Sequence, residues 1–201
     1  MNVASFYVNT ATVFKGWTIY FDAGNLREYY QGELVTPYTR MFVDVFWPEQ
    51  GGAETLNVAG KVFTIPVNVT FHSIVNKIGF YVAVQAGNLR VGIYRDNGDT
   101  PAGGALVVES GSVACGAAGP QEIAIAATRL IPGLYWVVIQ SDTTTAQVFR
   151  GSGWLYAGST LNGKTWANAG GYGAFENPQV SAVTANQTTL SAYLMASQII
   201  P

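Results

Sequence analysis

The chain has 201 residues, a formal net charge of −2 and a charged fraction of only 11%, while 49% of its residues are hydrophobic. This length suffices for one full-sized domain, or for one domain and an arm. Because the net charge is close to zero, the sequence does not predict the basic surface that binding to nucleic acid or anionic lipid needs. No apolar run approaches the roughly 18 residues of a transmembrane helix, and the single cysteine, Cys115, excludes an intrachain disulfide and a cysteine-cluster metal site.

Residues 1–51 are predicted to form an N-terminal arm or a small assembly subdomain. They lack a regular alternation of strand and turn, and the pair Gly51–Gly52 marks a plausible boundary. Asn25–Tyr30 could make one helical turn. Because aromatic residues are enriched at the cores of protein interfaces, we expect the arm to contact other subunits through its phenylalanines and tyrosines. These are Phe6, Tyr7, Phe14, Tyr20, Phe21, Tyr29 and Tyr30.

Residues 52–201 are predicted to fold as an all-β, jelly-roll-like antiparallel β-sandwich. Short runs rich in β-branched and aromatic residues are separated by glycine, asparagine, aspartate and proline, with no helical period. Leu89, Val91 and Ile93 alternate with polar or small residues, whereas Tyr135–Ile139 is apolar on both faces and is predicted to be a central strand. The nine predicted strands are Lys61–Ile65, Phe71–Val75, Ile78–Gln85, Leu89–Tyr94, Ala105–Gly111, Gln121–Ala126, Gly133–Ser141, Thr145–Arg150 and Thr188–Met195.

The sequence Asp96-Asn97-Gly98-Asp99, followed by Pro101, predicts a dense turn. Two carboxylates could serve a glycosidase, but such pairs usually come from different strands and stand about 5 to 9 Å apart. Oxygens of Asp96, Asn97 and Asp99 could also bind calcium, although the twelve-residue calcium loop is absent. Capping of backbone N–H groups in the turn explains these side chains better. The lone His72 is interpreted as a packed or exposed strand residue with one hydrogen bond, and we predict no catalytic residue, no metal and no cofactor.

A long ordered excursion is predicted at residues 151–187, which are rich in Gly, Ser and Asn and carry only two charges, Lys164 and Glu176. Its aromatic residues are Trp154, Tyr156, Trp166, Tyr172 and Phe175. They could fill a small core beneath the excursion or pack against a neighbouring subunit. Alternatively, Trp154, Tyr156, Trp166 and Tyr172 could stack on the apolar faces of sugar rings. We favour packing or subunit contact and keep glycan binding as the alternative.

An ordered series of short motifs runs through the middle of the chain. It comprises Thr64-Ile65-Pro66, Ile78-Gly79, the stretch from Leu89 to Gly98, the stretch from Pro101 to Leu106, and Pro132-Gly133-Leu134-Tyr135-Trp136. Across residues 55–150 the series resembles a β-sandwich domain of bacteriophage virion structural proteins of the tail, fibre or capsid-decoration type. The turn after Gly98 is slightly longer than in that family, and residues 1–50 and 151–187 lie outside the resemblance.

The resemblance implies a place on the exterior of a virus particle, and it brings no catalytic motif. We therefore expect a non-enzymatic virion structural protein, an external accessory component of capsid-decoration, cement, tail or fibre type. Its low charge lowers the desolvation cost of closing subunit contacts. The expected partners are other virion proteins and further copies of the chain. The resemblance to the family implies a trimer. The alternative is an attachment module that binds a receptor or host surface glycan through the aromatic excursion.

Overall fold

The computed structural model describes the backbone of residues 17–22, 25–30, 33–34, 40–41, 52–56, 60–69, 72–150, 163–185 and 190–200. Side chains are described within residues 52–56, 60–69, 72–150, 163–184 and 190–197. All regular secondary structure in these ranges is β-strand. Accordingly, this part of the chain contains no helix long and apolar enough to cross a membrane.

The first three strands form a small antiparallel sheet of their own. Strands β1 (Trp17–Asp22), β2 (Asn25–Tyr30) and β3 (Glu33–Leu34) follow one another along the chain and pair in that order. The helical turn predicted at Asn25–Tyr30 is therefore wrong. A single helical turn fixes several residues for one hydrogen bond, whereas here all six residues of β2 pair with β1.

One sheet of the sandwich has seven strands. They are β6 (Lys61–Val69), β8 (Asn88–Arg95), β9 (Leu106–Glu109), β10 (Val113–Ala114), β12 (Gly133–Ser141), β14 (Lys164–Ala167) and β15 (Thr184–Ala185). Their order is β10-β8-β12-β6-β14-β15, and β9 also pairs with β8. Val137 of β12 lies opposite Ile93 on one side and Ile65 on the other. The prediction that Tyr135–Ile139 is a central strand is confirmed.

The second sheet has six strands. They are β4 (Arg40–Met41), β5 (Ala53–Thr55), β7 (His72–Val84), β11 (Gly119–Leu130), β13 (Gln147–Phe149) and β16 (Ala192–Ile200). Their order is β4-β16-β7-β13-β5, and β11 pairs with β7. The predicted strands Phe71–Val75 and Ile78–Gln85 are thus parts of one strand, β7. In β11, Ala124 pairs with Lys77 but Thr128 pairs with Val75, so a bulge places three residues against one.

The two sheets pack together around one apolar core and define a β-sandwich. The seven-stranded sheet contributes Phe63, Ile65, Val91, Ile93, Val137 and Ile139, and the six-stranded sheet contributes Val75, Ile78, Phe80, Val82 and Leu194. Each of these side chains is at most 6% exposed. Burial of one such side chain stabilises the fold by about 1.5–3 kcal/mol. The predicted all-β antiparallel sandwich is confirmed at this level.

A glycine on the outer face of the six-stranded sheet makes room for an aromatic ring. Tyr193 of β16 is the register partner of Gly79 in β7. A Cβ atom placed on Gly79 would lie only 2.0 Å from Cζ of Tyr193. The ring therefore lies across the backbone of β7, and the Tyr193 hydroxyl stands 3.4 Å from Oε1 of Glu122 in β11. Any larger residue at position 79 would displace it.

Candidate functional site

Residues 168–183, which we call the covering segment, pack on the outer face of the seven-stranded sheet. Along β6 and β12, Phe63 and Val137 point into the sandwich core, so their neighbours Val62 and Trp136 point to the opposite face. There a second apolar cluster forms, which contains Val62, Tyr94, Trp136, Val138, Trp166 and Phe175. The covering segment thus closes a small core of its own outside the main sandwich.

Phe175 anchors the middle of the covering segment. Its backbone N–H donates to Oε2 of Glu109 at 3.1 Å, and the same oxygen accepts from the Arg90 guanidinium at 3.0 Å. A Cβ atom on Gly92 of β8 would lie 3.2 Å from the Phe175 ring. The ring seats against β8 because a glycine occupies the position beneath it.

Polar side chains of the sheet and of the covering segment bind backbone carbonyls of the segment. Tyr94 donates its hydroxyl to the carbonyl of Glu176, and Nε2 of Gln140 donates to the carbonyl of Gly173. Nδ2 of Asn168 donates to the carbonyls of Gly171 and Ala174, both at 2.9 Å. Burial, together with the nearby negative charges of Glu176 and Glu109, raises the pKa of Tyr94 far above its usual value of 10.0. The phenol therefore stays protonated and remains a donor.

Glu176 holds the covering segment from within. Its carboxylate accepts the backbone N–H groups of Ala169 at 3.0 Å, Val180 at 2.9 Å and Ser181 at 2.8 Å, and it also accepts the Ser181 hydroxyl. Burial by itself raises the pKa of Glu176, but the hydrogen bonds from Ser181, Val180 and Ala169 outweigh it, so the pKa is lowered below 4.5. A charged carboxylate thus ties together both ends of the segment.

The covering segment also meets the loop between β8 and β9. Gly103 N–H donates to the carbonyl of Gln179 at 2.8 Å, and Gln179 N–H donates to the carbonyl of Gly104 at 3.1 Å. Within this loop Asp96 accepts the indole N–H of Trp136 at 2.7 Å and the N–H of Asp99 at 3.2 Å. The prediction that the Asp96 carboxylate caps a turn is confirmed.

The loops at this end of the sandwich form what we call the loop end, defined by residues 96–104, 131–132 and 177–181. The N–H of Asp96 donates to the carbonyl of Leu134, which follows the turn at residues 131–132. This bond holds the loop of residues 96–104 beside that turn. Val180 is 76% exposed and Ile131 is 42% exposed here. Across the described ranges no three His, Cys, Asp or Glu side chains gather as potential metal ligands.

The aromatic residues predicted in the excursion lie in different environments. Trp166 is 2% exposed and Phe175 is 5% exposed, both in the second apolar cluster. Their rings pack beneath the covering segment and offer no open face to a sugar. Tyr172 is half-buried, and its hydroxyl lies 2.6 Å from Oγ of Ser112. Trp154 and Tyr156 lie outside the described residues.

Only some of the N-terminal residues that were predicted to form an interface lie in the described part of the chain. The backbones of Tyr20 and Phe21 belong to β1, and those of Tyr29 and Tyr30 belong to β2. In the ladder, Tyr20 pairs with Arg27 and Phe21 with Leu26. Phe6, Tyr7 and Phe14, together with the side chains of the other four residues, lie outside the described part of the chain.

Sequence reasoning did not identify the groups that hold the covering segment, above all Glu176 and Tyr94. Two signals were available. Glu176 is one of only two charged residues in the excursion, and Gly92 interrupts an otherwise alternating strand, which is typical of a close approach by another chain segment. Comparisons with protein-family models and with curated proteins found no match for this chain.

Proposed function

We propose that the protein is a structural component of a bacteriophage virion, an external accessory subunit of capsid-decoration, tail or fibre type that acts through contacts with other subunits. The sandwich is proposed to be of the jelly-roll type. The virion assignment rests on the ordered motifs of the sequence, which end in Pro132-Gly133-Leu134-Tyr135-Trp136. The contact role rests on one observation at the loop end, the exposed side chain of Val180.

Val180 has the properties of a contact residue. It is the most exposed large hydrophobic residue in the described part of the chain, at 76%. Its backbone N–H is bound by Glu176, and the preceding residue, Gln179, pairs with Gly103 and Gly104. Because this backbone is already held in place, a partner that buries the side chain gains apolar burial of about 1.5–3 kcal/mol without first ordering a loop.

The N-terminal region is proposed as the second contact region, with its aromatic residues packed on neighbouring subunits. Closed cyclic symmetry would let each copy use the same surfaces. A trimer is the proposed stoichiometry. It follows from the resemblance alone.

The experiment compares two substitutions of the same kind at opposite ends of the sandwich. Val180→Asp places a charge at the loop end, whereas Val84→Asp is the matched control, because Val84 is 43% exposed at the far end of β7. Light scattering measures the mass of the purified full chain, and quantitative mass spectrometry measures its content in purified particles of the virus that encodes it.

We expect Val180→Asp to reduce self-association or incorporation, and Val84→Asp to leave both unchanged. The contact role of the loop end is refuted if both variants assemble like the wild type. The virion assignment is refuted if the wild-type chain is absent from the particles.

A glycan-binding attachment module is the second candidate, and Tyr172 favours it. Tyr172 is an aromatic residue of the covering segment that stays partly exposed, and it lies beside the hydroxyl of Ser112. An aromatic ring next to a hydroxyl suits a sugar ring. Tyr172→Ala should abolish binding to host surface glycan, whereas Tyr172→Phe, which keeps the ring, should retain most of it. Wild-type chain that binds no host surface glycan would dismiss this candidate.

A further inference from the structure

The turn at the tip of the loop end places a glycine directly after an exposed asparagine. Gly98 has φ +73° and Asp99 has φ 62°, so both residues adopt a backbone conformation with positive φ. Because such a φ is strained for side chains other than glycine, the fold itself favours glycine at position 98. No atom lies within 4 Å of the place where a Cβ of Gly98 would stand. Asn97 and Gly98 are both exposed.

We propose that Asn97 is a site of spontaneous deamidation. The backbone nitrogen of Gly98 loses its proton and attacks Cγ of Asn97, and the bond from Cγ to the side-chain nitrogen breaks, so that ammonia leaves. The product is a five-membered succinimide. Water then opens the ring at either carbonyl and gives aspartate, or isoaspartate in which the main chain runs through the side-chain carboxyl. The net reaction consumes one water, releases ammonia and adds one negative charge.

The reaction would remove a brace of the loop end. Nδ2 of Asn97 donates to the carbonyl of Ala102 at 2.9 Å, and a carboxylate at this place has no proton to donate. The new charge would also join Asp96 and Asp99 in the same short loop. Gly103, the residue after Ala102, binds the carbonyl of Gln179 in the covering segment. Deamidation therefore loosens the contact between the β8–β9 loop and the covering segment.

Two other asparagines serve as internal controls. Asn168 is only 6% exposed, whereas Asn97 is exposed, and the residue after Asn168 is alanine, whose side chain hinders closure of the ring. Asn177 precedes Pro178, whose nitrogen carries no proton and cannot form the succinimide in this way. The structure therefore singles out Asn97 among these three.

The experiment incubates the full folded chain in mildly alkaline buffer at physiological temperature and maps its peptides by mass spectrometry. Isoaspartate is assigned by electron-based fragmentation. Asn162→Gln forms the background, because Asn162–Gly163 is a second Asn–Gly pair whose asparagine lies outside the described residues. Asn97→Gln in that background is the matched control, since its longer side chain keeps the amide but disfavours the ring.

We expect conversion to be concentrated at Asn97, to be absent in Asn97→Gln, and to be far lower at Asn168 and Asn177. In the converted fraction, separated by its extra charge, amide exchange in residues 177–181 should be faster than in unmodified chain. The proposal is overturned if Asn97 keeps its amide in the folded chain while an unstructured peptide of residues 94–101 converts. The measurement uses isolated protein, so its outcome is independent of the proposed virion role.

Discussion

Removal of the Glu176 carboxylate should release the covering segment while the sandwich stays folded. Glu176→Ala deletes the acceptor of four hydrogen bonds, from the N–H groups of Ala169, Val180 and Ser181 and from the Ser181 hydroxyl. A hydrogen bond to a charged group contributes about 1.5–3 kcal/mol. Ala169 and Val180 are exposed, so water replaces much of this. We expect a net local cost of about 2 kcal/mol, which is roughly a 30-fold rise in opening of the segment.

Hydrogen–deuterium exchange resolved by residue measures this opening directly. The amides of Phe175 and Ser181 should exchange faster in Glu176→Ala, whereas those of β7 and β12 should keep their protection. Glu122→Ala is the control, because it removes a carboxylate from the six-stranded sheet without touching the segment. Unchanged exchange at Ser181 in Glu176→Ala would refute the role assigned to this carboxylate.

The same carboxylate gives the covering segment a pH dependence of known sign. The pKa of Glu176 is lowered in the folded chain, because its hydrogen bonds outweigh its burial. Its contribution to stability is therefore fully present above the unfolded-state pKa of about 4.5 and is lost as the pH falls through the lowered folded-state value. In the wild type, the protection of the Ser181 amide against hydrogen exchange should decline as the pH falls through the lowered pKa of Glu176. Glu176→Gln, which cannot titrate, should show no such decline at this amide.

Three further substitutions test the packing. Gly79→Ala should cost about 1–3 kcal/mol in chemical unfolding because its Cβ meets the Tyr193 ring, and an equal cost in a Tyr193→Ala background would contradict that account. Tyr94→Phe should cost about 1 kcal/mol in thermal unfolding, because the hydrogen bond to the Glu176 carbonyl is lost. Alkaline titrations of the tyrosine absorbance of the wild type and of Tyr94→Phe should differ little, because Tyr94 resists ionisation. Trp166→Ala should cost about 3–5 kcal/mol, whereas unchanged stability would mean that the ring is not buried.

The sandwich strands were largely predictable because they alternate or are continuously apolar, as Leu89–Tyr94 and Tyr135–Ile139 do. Strand β14 (Lys164–Ala167) was not predicted, because four residues in a Gly-rich stretch show no period. The interruption expected between Val75 and Ile78 is absent, because Asn76 and Lys77 continue β7 opposite the bulge of β11. Local polarity misled the prediction there.

The site was less predictable than the fold, because its contacts connect distant parts of the chain. An ordered excursion was expected at residues 151–187, and packing of its aromatic residues was the favoured interpretation. The bond from Tyr94 to the Glu176 carbonyl spans 82 residues, and no local pattern announces it. The turn at Asp96 was predictable, since its partner Asp99 lies three residues away.

The bulge in β11 also shortens the strand edge to which a strand of another chain could pair. Along its side away from β7, β11 pairs with no strand in the described part of the chain, and a long unpaired strand is a template for cross-β aggregation. The irregularity between Ala124 and Thr128 breaks this template into two short stretches, and Pro120 removes one donor from the first. The second stretch, Thr128–Leu130, is only three residues long, so an added strand would find few consecutive hydrogen bonds along β11.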